Sequence, residues 1–239
     1  MVCALCLSEA PLKNSHIIPE FLYKSLYDPI HRFHQISADR EQPNTLLQKG
    51  LRESLLCDDC EQKFSVPERY ASMFLNGGIG IAIQQQGNKL YLSELDYKKL
   101  KLFQLSVLWR ADISSLPAFS QVNLGSHTEH IRKMLMTDDP GSVETYGCIM
   151  SMLMYKSETI QDLIVSPTWA RLDGKMAYRF VFGGLIFVFV VSSTPPLNII
   201  SEYFLQESGT AIIKLQQLHE LSYLVDSVTK MHKIGKFDI

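Results

Sequence analysis

Residues 3–6 read Cys-Ala-Leu-Cys and residues 57–60 read Cys-Asp-Asp-Cys, so one spacing of paired cysteines occurs twice in the chain. Each spacing forms a tight turn that directs two sulfur atoms toward one point, and two such turns complete the tetrahedron of a structural zinc site. Cys3, Cys6, Cys57 and Cys60 are therefore predicted to bind one zinc ion. The alternative, four unrelated buried cysteines, requires the same spacing to arise twice by chance.

The cysteines also bear on the redox environment. The fifth, Cys148, lies in an apolar stretch and is predicted to be a small buried hydrophobic residue. No apolar signal segment precedes Cys3. The chain is therefore expected in the reducing cytoplasm, where a disulfide framework is disfavoured.

The charge balance limits the kinds of partner. The chain has 239 residues, 46% of them hydrophobic, and a formal net charge of -2, which is an ordinary globular composition. Residues 1–70 hold four Lys and four Arg against four Asp and six Glu. A non-specific nucleic-acid binder shows a basic excess. Tight duplex binding by this chain alone is therefore disfavoured, while a local basic patch or a partner that supplies charge stays open.

Residues 178–191 are almost continuously apolar and require a membrane test. The run is shorter than the roughly 20 residues of a spanning helix, and Arg179 and the pair Gly183-Gly184 interrupt it. Aromatic and β-branched residues on both sides of the glycines predict a β-hairpin, residues 178–182 and 185–192, covered on both faces. No membrane span is expected.

The order of elements predicts an α+β fold, because runs of strands are separated from runs of helices. We expect a zinc module over residues 1–78 and a second domain over 79–239, made of helices, an antiparallel sheet and C-terminal helices. A capping-box-like start at Ser93 and Asp96 opens the clearest helix. A helix is predicted to start at the second cysteine pair and run through residue 64. Further helices are predicted at residues 20–27, 66–74, 95–114, 128–136, 197–206 and 211–232, a loop at 28–50, a hairpin at 79–92, and strands within 146–192.

His16 is the leading candidate for chemistry. A neutral imidazole can take a proton from water near pH 7, and phosphodiester hydrolysis needs such a base together with an electrophilic metal ion. Glu61 begins the helix after the second cysteine pair, so its carboxylate converges on His16 if zinc brings strand and helix together. Two alternatives stay open: a structural histidine bonded to a backbone carbonyl, and a replacement zinc ligand.

At this point the sequence resembles a known family. Cys-x-x-Cys, then His-Ile-Ile-Pro at 16–19, then Leu-Leu-Cys-x-x-Cys-Glu-x-Lys at 55–63 is similar to the HNH endonuclease group, over roughly a quarter of the chain. The resemblance implies a ββα-metal core stapled by a treble-clef-like zinc site. It also implies that His16 is the general base and that Glu61 is a ligand of a second ion, Mg²⁺ or Mn²⁺. Ser15 stands where the family has an acidic or histidine ligand, and Arg52 where it has its middle Asn.

Two functions from different classes are compatible with these residues. The first is a metal-dependent endonuclease with a structural zinc, whose substrate is nucleic acid. The second is a zinc-stapled interaction protein whose HNH-like core has lost catalysis and which acts through a protein or nucleic-acid partner. Residues 108–110, Leu-Trp-Arg, are also similar to a helix in uncharacterised bacterial proteins that carry such a zinc module, and this similarity implies no activity.

Four other histidines and two charged residues are weaker candidates. The pairs His31/His34 and His127/His130 share a spacing that can bind metal, but exposed histidines are the commoner outcome. Glu68 is predicted to be a surface carboxylate, because Pro67 breaks its register with Glu61. Arg110 follows an apolar helix face and is predicted to contact a phosphate or, more commonly, to pair with Asp112 or a sheet carboxylate.

Overall fold

The computed structural model of the protein describes residues 1–194 and 196–237 and shows an α+β fold with helices and a mixed sheet. The α-helices are α1 (Asp58–Leu75), α2 (Tyr97–Ile113), α3 (His127–Thr137), α4 (Asn198–Ser201) and α5 (Ser222–Lys233). The strands are β1 (Lys13–His16), β2 (Arg32–Gln35), β3 (Thr45–Gln48), β4 (Arg52–Leu56), β5 (Ala82–Gln86), β6 (Lys89–Ser93), β7 (Cys148–Tyr155), β8 (Glu158–Thr159), β9 (Val165–Leu172), β10 (Lys175–Phe182), β11 (Leu185–Val191) and β12 (Ala211–Gln217). Short 3₁₀ helices lie at Glu20–Leu26, Pro117–Phe119 and Leu218–Glu220.

The N-terminal region joins a two-stranded sheet to one long helix. β1 and β4 pair antiparallel, and α1 begins directly after β4 with Cys57 as its N-cap residue. Helix α1 runs through Pro67 without a break, so the predicted interruption near this residue was wrong. Proline removes one helical hydrogen bond. The burial of Phe64, Tyr70 and Phe74 on the same helix offsets that loss.

Residues 28–50, predicted as a loop, contain the antiparallel hairpin of β2 and β3. The hairpin is anchored by Phe33, whose ring centroid lies 5.2 Å from that of Tyr23 and 6.2 Å from that of Tyr27. Asp28 accepts hydrogen bonds from the backbone N–H and the guanidinium of Arg32, which closes the preceding turn. The strands are short and carry mostly polar residues, so their alternation is weak in the sequence.

The main sheet has the strand order β5-β6-β12-β7-β11-β10-β9, with β8 on the edge of β7. It is mixed and not purely antiparallel as predicted, because β12 runs parallel to β7. The predicted helix over 211–232 was therefore wrong in its first part, and only α5 is helical. Residues 211–214 alternate between buried and half-buried, which is the period of a strand. The predicted helix at 197–206 is reduced to the single turn α4.

The Gly183-Gly184 hairpin is confirmed, with Phe182 opposite Leu185. Both glycines have positive φ, 59° and 77°, which a two-residue turn of the primed type requires. Both faces of the hairpin are covered, as predicted. Phe182 packs against Phe103 of α2 on one face, and Val181 clusters with residues of α5 on the other.

Helix α2 lies at the centre of the molecule. Every residue from 100 to 111 is buried, including Lys101 and Arg110, so the helix is enclosed on all sides and not only on an apolar face. Its N-cap is Asp96, which accepts a hydrogen bond from the Lys99 N–H at 2.9 Å, so Ser93 is not the cap. The predicted hairpin at 79–92 and helix at 128–136 correspond to β5–β6 and α3.

One hydrophobic cluster contains residues from both sides of the predicted boundary at 78/79, from Cys3 to Ile213. α1 packs on α2, and α2 packs on α3 and the sheet. Within the described residues, no helix is long and apolar enough to cross a bilayer.

Candidate metal centre and the His16 site

The four predicted zinc ligands meet at one point. The Sγ atoms of Cys3, Cys6, Cys57 and Cys60 all lie within 4.8 Å of one another, and those of Cys6 and Cys57 are 3.8 Å apart. A tetrahedral zinc site with Zn–S bonds of about 2.3 Å has sulfur–sulfur edges of about 3.8 Å. The donor set and its spacing therefore fit a structural zinc ion.

Backbone contacts hold the two cysteine pairs together. The Ala4 N–H donates to the Leu55 carbonyl at 3.0 Å, and the Cys57 N–H donates to the Cys3 Sγ at 3.3 Å. Arg132 of α3 donates to the Leu5 carbonyl, so a third element supports the first pair. The sulfur atoms are thus positioned by the fold as well as by any ion they hold.

The surroundings of the cysteines shift the pKa values of their thiols in opposite directions. Hydrogen bonds from the backbone and side chain of Ser8 lower the pKa of Cys6 to about 6. Burial, together with the neighbouring thiols, raises the pKa of Cys60 well above its usual range. Zinc ligands must be thiolates, so a cation is needed to keep all four sulfurs deprotonated in this small volume.

His16 is the last residue of β1, and its imidazole makes one hydrogen bond within the described residues. Its Nε2 lies 2.9 Å from the Lys49 carbonyl oxygen. A carbonyl can only accept, so Nε2 carries the hydrogen and Nδ1 of the neutral ring keeps a free lone pair. Burial lowers the pKa of His16 below its usual value, so the imidazole is neutral at pH 7.

A tight turn aims the Lys49 carbonyl at His16. Lys49 and Gly50 both have positive φ, 63° and 68°. A β-carbon on Gly50 would lie 2.9 Å from Cε2 of Tyr23 and 3.2 Å from Cδ2 of His16. Glycine is therefore required here both by the backbone angle and by the close approach of two rings.

Arg110 connects His16 to the rest of the protein. Its guanidinium donates to the His16 carbonyl at 2.7 Å, and its Nη2 lies 2.7 Å from Oε1 of Glu68. Arg110 is 1% exposed, so this is a buried pair and not a phosphate contact. The predicted partners, Asp112 or a sheet carboxylate, were wrong, and Glu68 on α1 takes that role because the helix continues through Pro67.

These contacts align β1 with α1. An ion pair between Lys13 and Asp58 joins the first residues of both elements, and Arg110 joins His16 to Glu68 further along. Glu61 lies on α1 between Asp58 and Glu68, the two residues that make these contacts. Its Oε1 is buried and has no hydrogen-bond partner among the described residues.

Two further residues of the predicted site have fixed positions. Arg52 lies directly opposite His16 in the β1–β4 register, so the two side chains share one face of the sheet. Ser15 is 1% exposed, and its side chain is directed into the protein. Among the described residues, the cysteines are the only group of three or more His, Cys, Asp and Glu side chains whose ligand atoms converge.

Sequence reasoning identified the cysteines, His16 and Glu61, but it missed Lys49, Gly50 and the link between Arg110 and Glu68. The glycine between two strands was a local signal for the turn. The link between Arg110 and His16 spans 94 residues and has no local signal.

Comparisons of the chain with family models, with curated proteins and with solved structures find no match.

Proposed function

We propose that the chain is a metal-dependent endonuclease of the HNH type, with His16 as general base and the four cysteines as a structural zinc site. The observation that carries this proposal is the hydrogen bond from His16 Nε2 to the Lys49 carbonyl. It fixes the tautomer and leaves Nδ1 as a proton acceptor on a neutral ring, which is the state that a general base needs.

The surroundings of His16 support the same chemistry. Arg52 shares its face of the β1–β4 sheet, and a guanidinium binds phosphate oxygens through two parallel hydrogen bonds. Glu61 contributes a carboxylate oxygen that has no partner among the described residues, a suitable ligand for Mg²⁺ or Mn²⁺. When bound, such an ion supplies the electrophilic stabilisation of a phosphoryl oxygen.

The decisive experiment measures cleavage of plasmid DNA, single-stranded DNA and RNA with Mg²⁺ and Mn²⁺. His16→Ala should lower the rate by about 10² to 10⁴, the usual contribution of a general base, while zinc content and melting temperature stay near the wild-type values. His34→Ala is the matched control, because His34 is an exposed histidine of β2. Wild-type cleavage should fall as the pH is lowered through the pKa of His16, which lies below the usual value of about 6.5.

Glu61 is tested separately. Glu61→Gln keeps the size of the side chain and removes its charge, so cleavage should fall and should recover in part at raised Mn²⁺. Asp59→Asn is the control, since Asp59 is an exposed carboxylate of the same helical turn. Equal effects of the two substitutions would remove Glu61 from the proposed site.

A second candidate is a zinc-stapled interaction protein without catalysis. It is favoured by the hydrogen bond of His16 to the Lys49 carbonyl, which is the contact expected of a structural histidine. It is also favoured by Ser15, whose buried side chain leaves the usual second ligand position without a strong donor. If the wild type cleaves none of the substrates and His16→Ala lowers zinc occupancy or melting temperature, the catalytic proposal fails and His16 is structural.

A further inference from the structure

Two histidines of α3 and one tyrosine before β7 form a cluster away from His16. His127 and His130 occupy positions i and i+3, so their side chains share a face of the helix. The Nδ1 atoms of both rings lie 2.9 Å from the Tyr146 hydroxyl oxygen. Three atoms with lone pairs, from two separate parts of the chain, thus converge on one side of α3.

A phenolic hydroxyl can bond to both rings only if their protonation states differ. A phenol has one hydrogen, so it can donate to one imidazole and must accept from the other, which forces the two rings into different tautomers. A cation that replaces the phenolic hydrogen would be bound by all three atoms, with both rings in the same tautomer.

The two distances to the Tyr146 oxygen are compatible with a metal coordination sphere as well as with hydrogen bonds. Neighbouring ligands at right angles around an ion, with metal–ligand bonds of about 2.1 Å, are separated by about 3.0 Å. The two nitrogen-to-oxygen distances of 2.9 Å agree with that value. Nitrogen and oxygen ligands in tetragonal or octahedral geometry are typical of Ni²⁺ and Cu²⁺.

The backbone is held in an unfavourable state to place this tyrosine. Tyr146 has a φ of 51°, in the left-handed region that bulky residues avoid, and it is 2% exposed. Its carbonyl accepts a hydrogen bond from the buried Lys101, which helps to fix the conformation. His130 is exposed, so an ion can enter from solvent and water can complete its coordination.

From these contacts we infer that His127, His130 and Tyr146 form a second metal site, for a first-row divalent transition metal ion. This site is separate from the four cysteines and does not depend on the proposed nuclease activity. The pair His31/His34 has the same spacing, but His31 lies in the turn before β2 and His34 lies in β2, so the two residues do not share a helix face.

The test uses the full-length, zinc-loaded protein and Ni²⁺. Calorimetry and elemental analysis after buffer exchange should find one Ni²⁺ per chain beyond the metal held by the cysteines and any ion held at Glu61. Zinc should be retained, and Glu61→Gln should keep this Ni²⁺. His130→Ala should weaken Ni²⁺ binding at least about tenfold, because even the loss of an outer hydrogen-bond partner weakens metal sites roughly 10- to 100-fold. His34→Ala and His16→Ala should bind Ni²⁺ as the wild type does.

Cu²⁺ provides a spectroscopic test of the tyrosine. A phenolate ligand gives Cu²⁺ a visible charge-transfer band, which Tyr146→Phe should remove while keeping the ring. Because His130 is exposed, its variant should fold even if Tyr146→Phe does not. The proposal is overturned if the wild type takes up no additional Ni²⁺, if His130→Ala binds it unchanged, if His16→Ala abolishes the uptake, or if folded Tyr146→Phe keeps the wild-type affinity.

Discussion

At the scale of single residues, the orientation of His16 depends on Gly50, the glycine that follows its hydrogen-bond acceptor Lys49. The turn at Lys49 and Gly50 places a carbonyl where only one tautomer of His16 can meet it. A residue required for its backbone angle therefore determines which ring nitrogen is free. The role proposed for His16 therefore depends on the fold as well as on the histidine.

Gly50→Ala should destabilise the protein by about 1–3 kcal/mol, the cost of a non-glycine residue in a strained conformation with a steric clash. It should also reduce any cleavage that depends on His16. Gly87→Ala is the matched control, because Gly87 has a similar φ of 59° and a β-carbon added there would meet no atom within 4 Å. Urea unfolding of both variants measures the difference. Equal losses of stability would show that the close approach of Tyr23 and His16 to Gly50 does not contribute to the destabilisation.

Lys101 carries a second residue-scale prediction. Burial lowers the pKa of Lys101 to about 8, against about 10.4 in an unfolded chain. Between these values Lys101 binds more protons in the unfolded chain than in the folded one, so this residue should contribute a rise in stability with pH from about 8 to 10. Lys101→Met should abolish this slope in urea-unfolding measurements. At pH 7 the removal of a buried cation raises stability and the loss of its hydrogen bond to the Tyr146 carbonyl lowers it, so the net change should be small. A variant that keeps the wild-type slope would show that Lys101 is not its source.

At the scale of elements, the β10–β11 hairpin is packed on both faces of the sheet. Val181 is 2% exposed and faces the cluster beneath α5. Val181→Asp should lower the free energy of unfolding by several kcal/mol, since it buries an unpaired charge. Ile83→Asp is the control on edge strand β5, where the side chain is 58% exposed and the change should be within about 0.5 kcal/mol. Similar losses of unfolding free energy at both positions would show that Val181 of β10 is not buried against this cluster.

The elements that were predicted correctly from the sequence are those whose signals are local. Two glycine turns identify the hairpins, and long apolar periodicity identifies α2. β12 could not be predicted in this way, because its strand state is set by parallel pairing with β7, which lies far earlier in the chain. The same holds for the candidate site. The cysteine spacing is a local signal and could be predicted, whereas the link from His16 through Arg110 to Glu68 exists only after α2 packs on α1.

At the scale of the whole molecule, the cysteine centre joins the first residues of the chain to the start of α1. From there α1 packs on α2, and α2 packs on the main sheet. Arg132 extends the connection from α3 back to the first cysteine pair. Loss of metal at one end should therefore be transmitted to elements that hold His16.

Zinc is expected at about one ion per chain, and its removal should unfold at least the N-terminal region. Metal binding contributes roughly 10–16 kcal/mol in isolated zinc peptides, whereas whole domains are stable by only about 5–15 kcal/mol. Cys57→Ser should lower zinc content and melting temperature together. Cys148→Ala is the matched control, because Cys148 is buried in β7 and lies outside the cysteine group. Elemental analysis and thermal unfolding test both variants, and a metal-free wild type with an unchanged melting curve would show that the four sulfur atoms are held by packing alone.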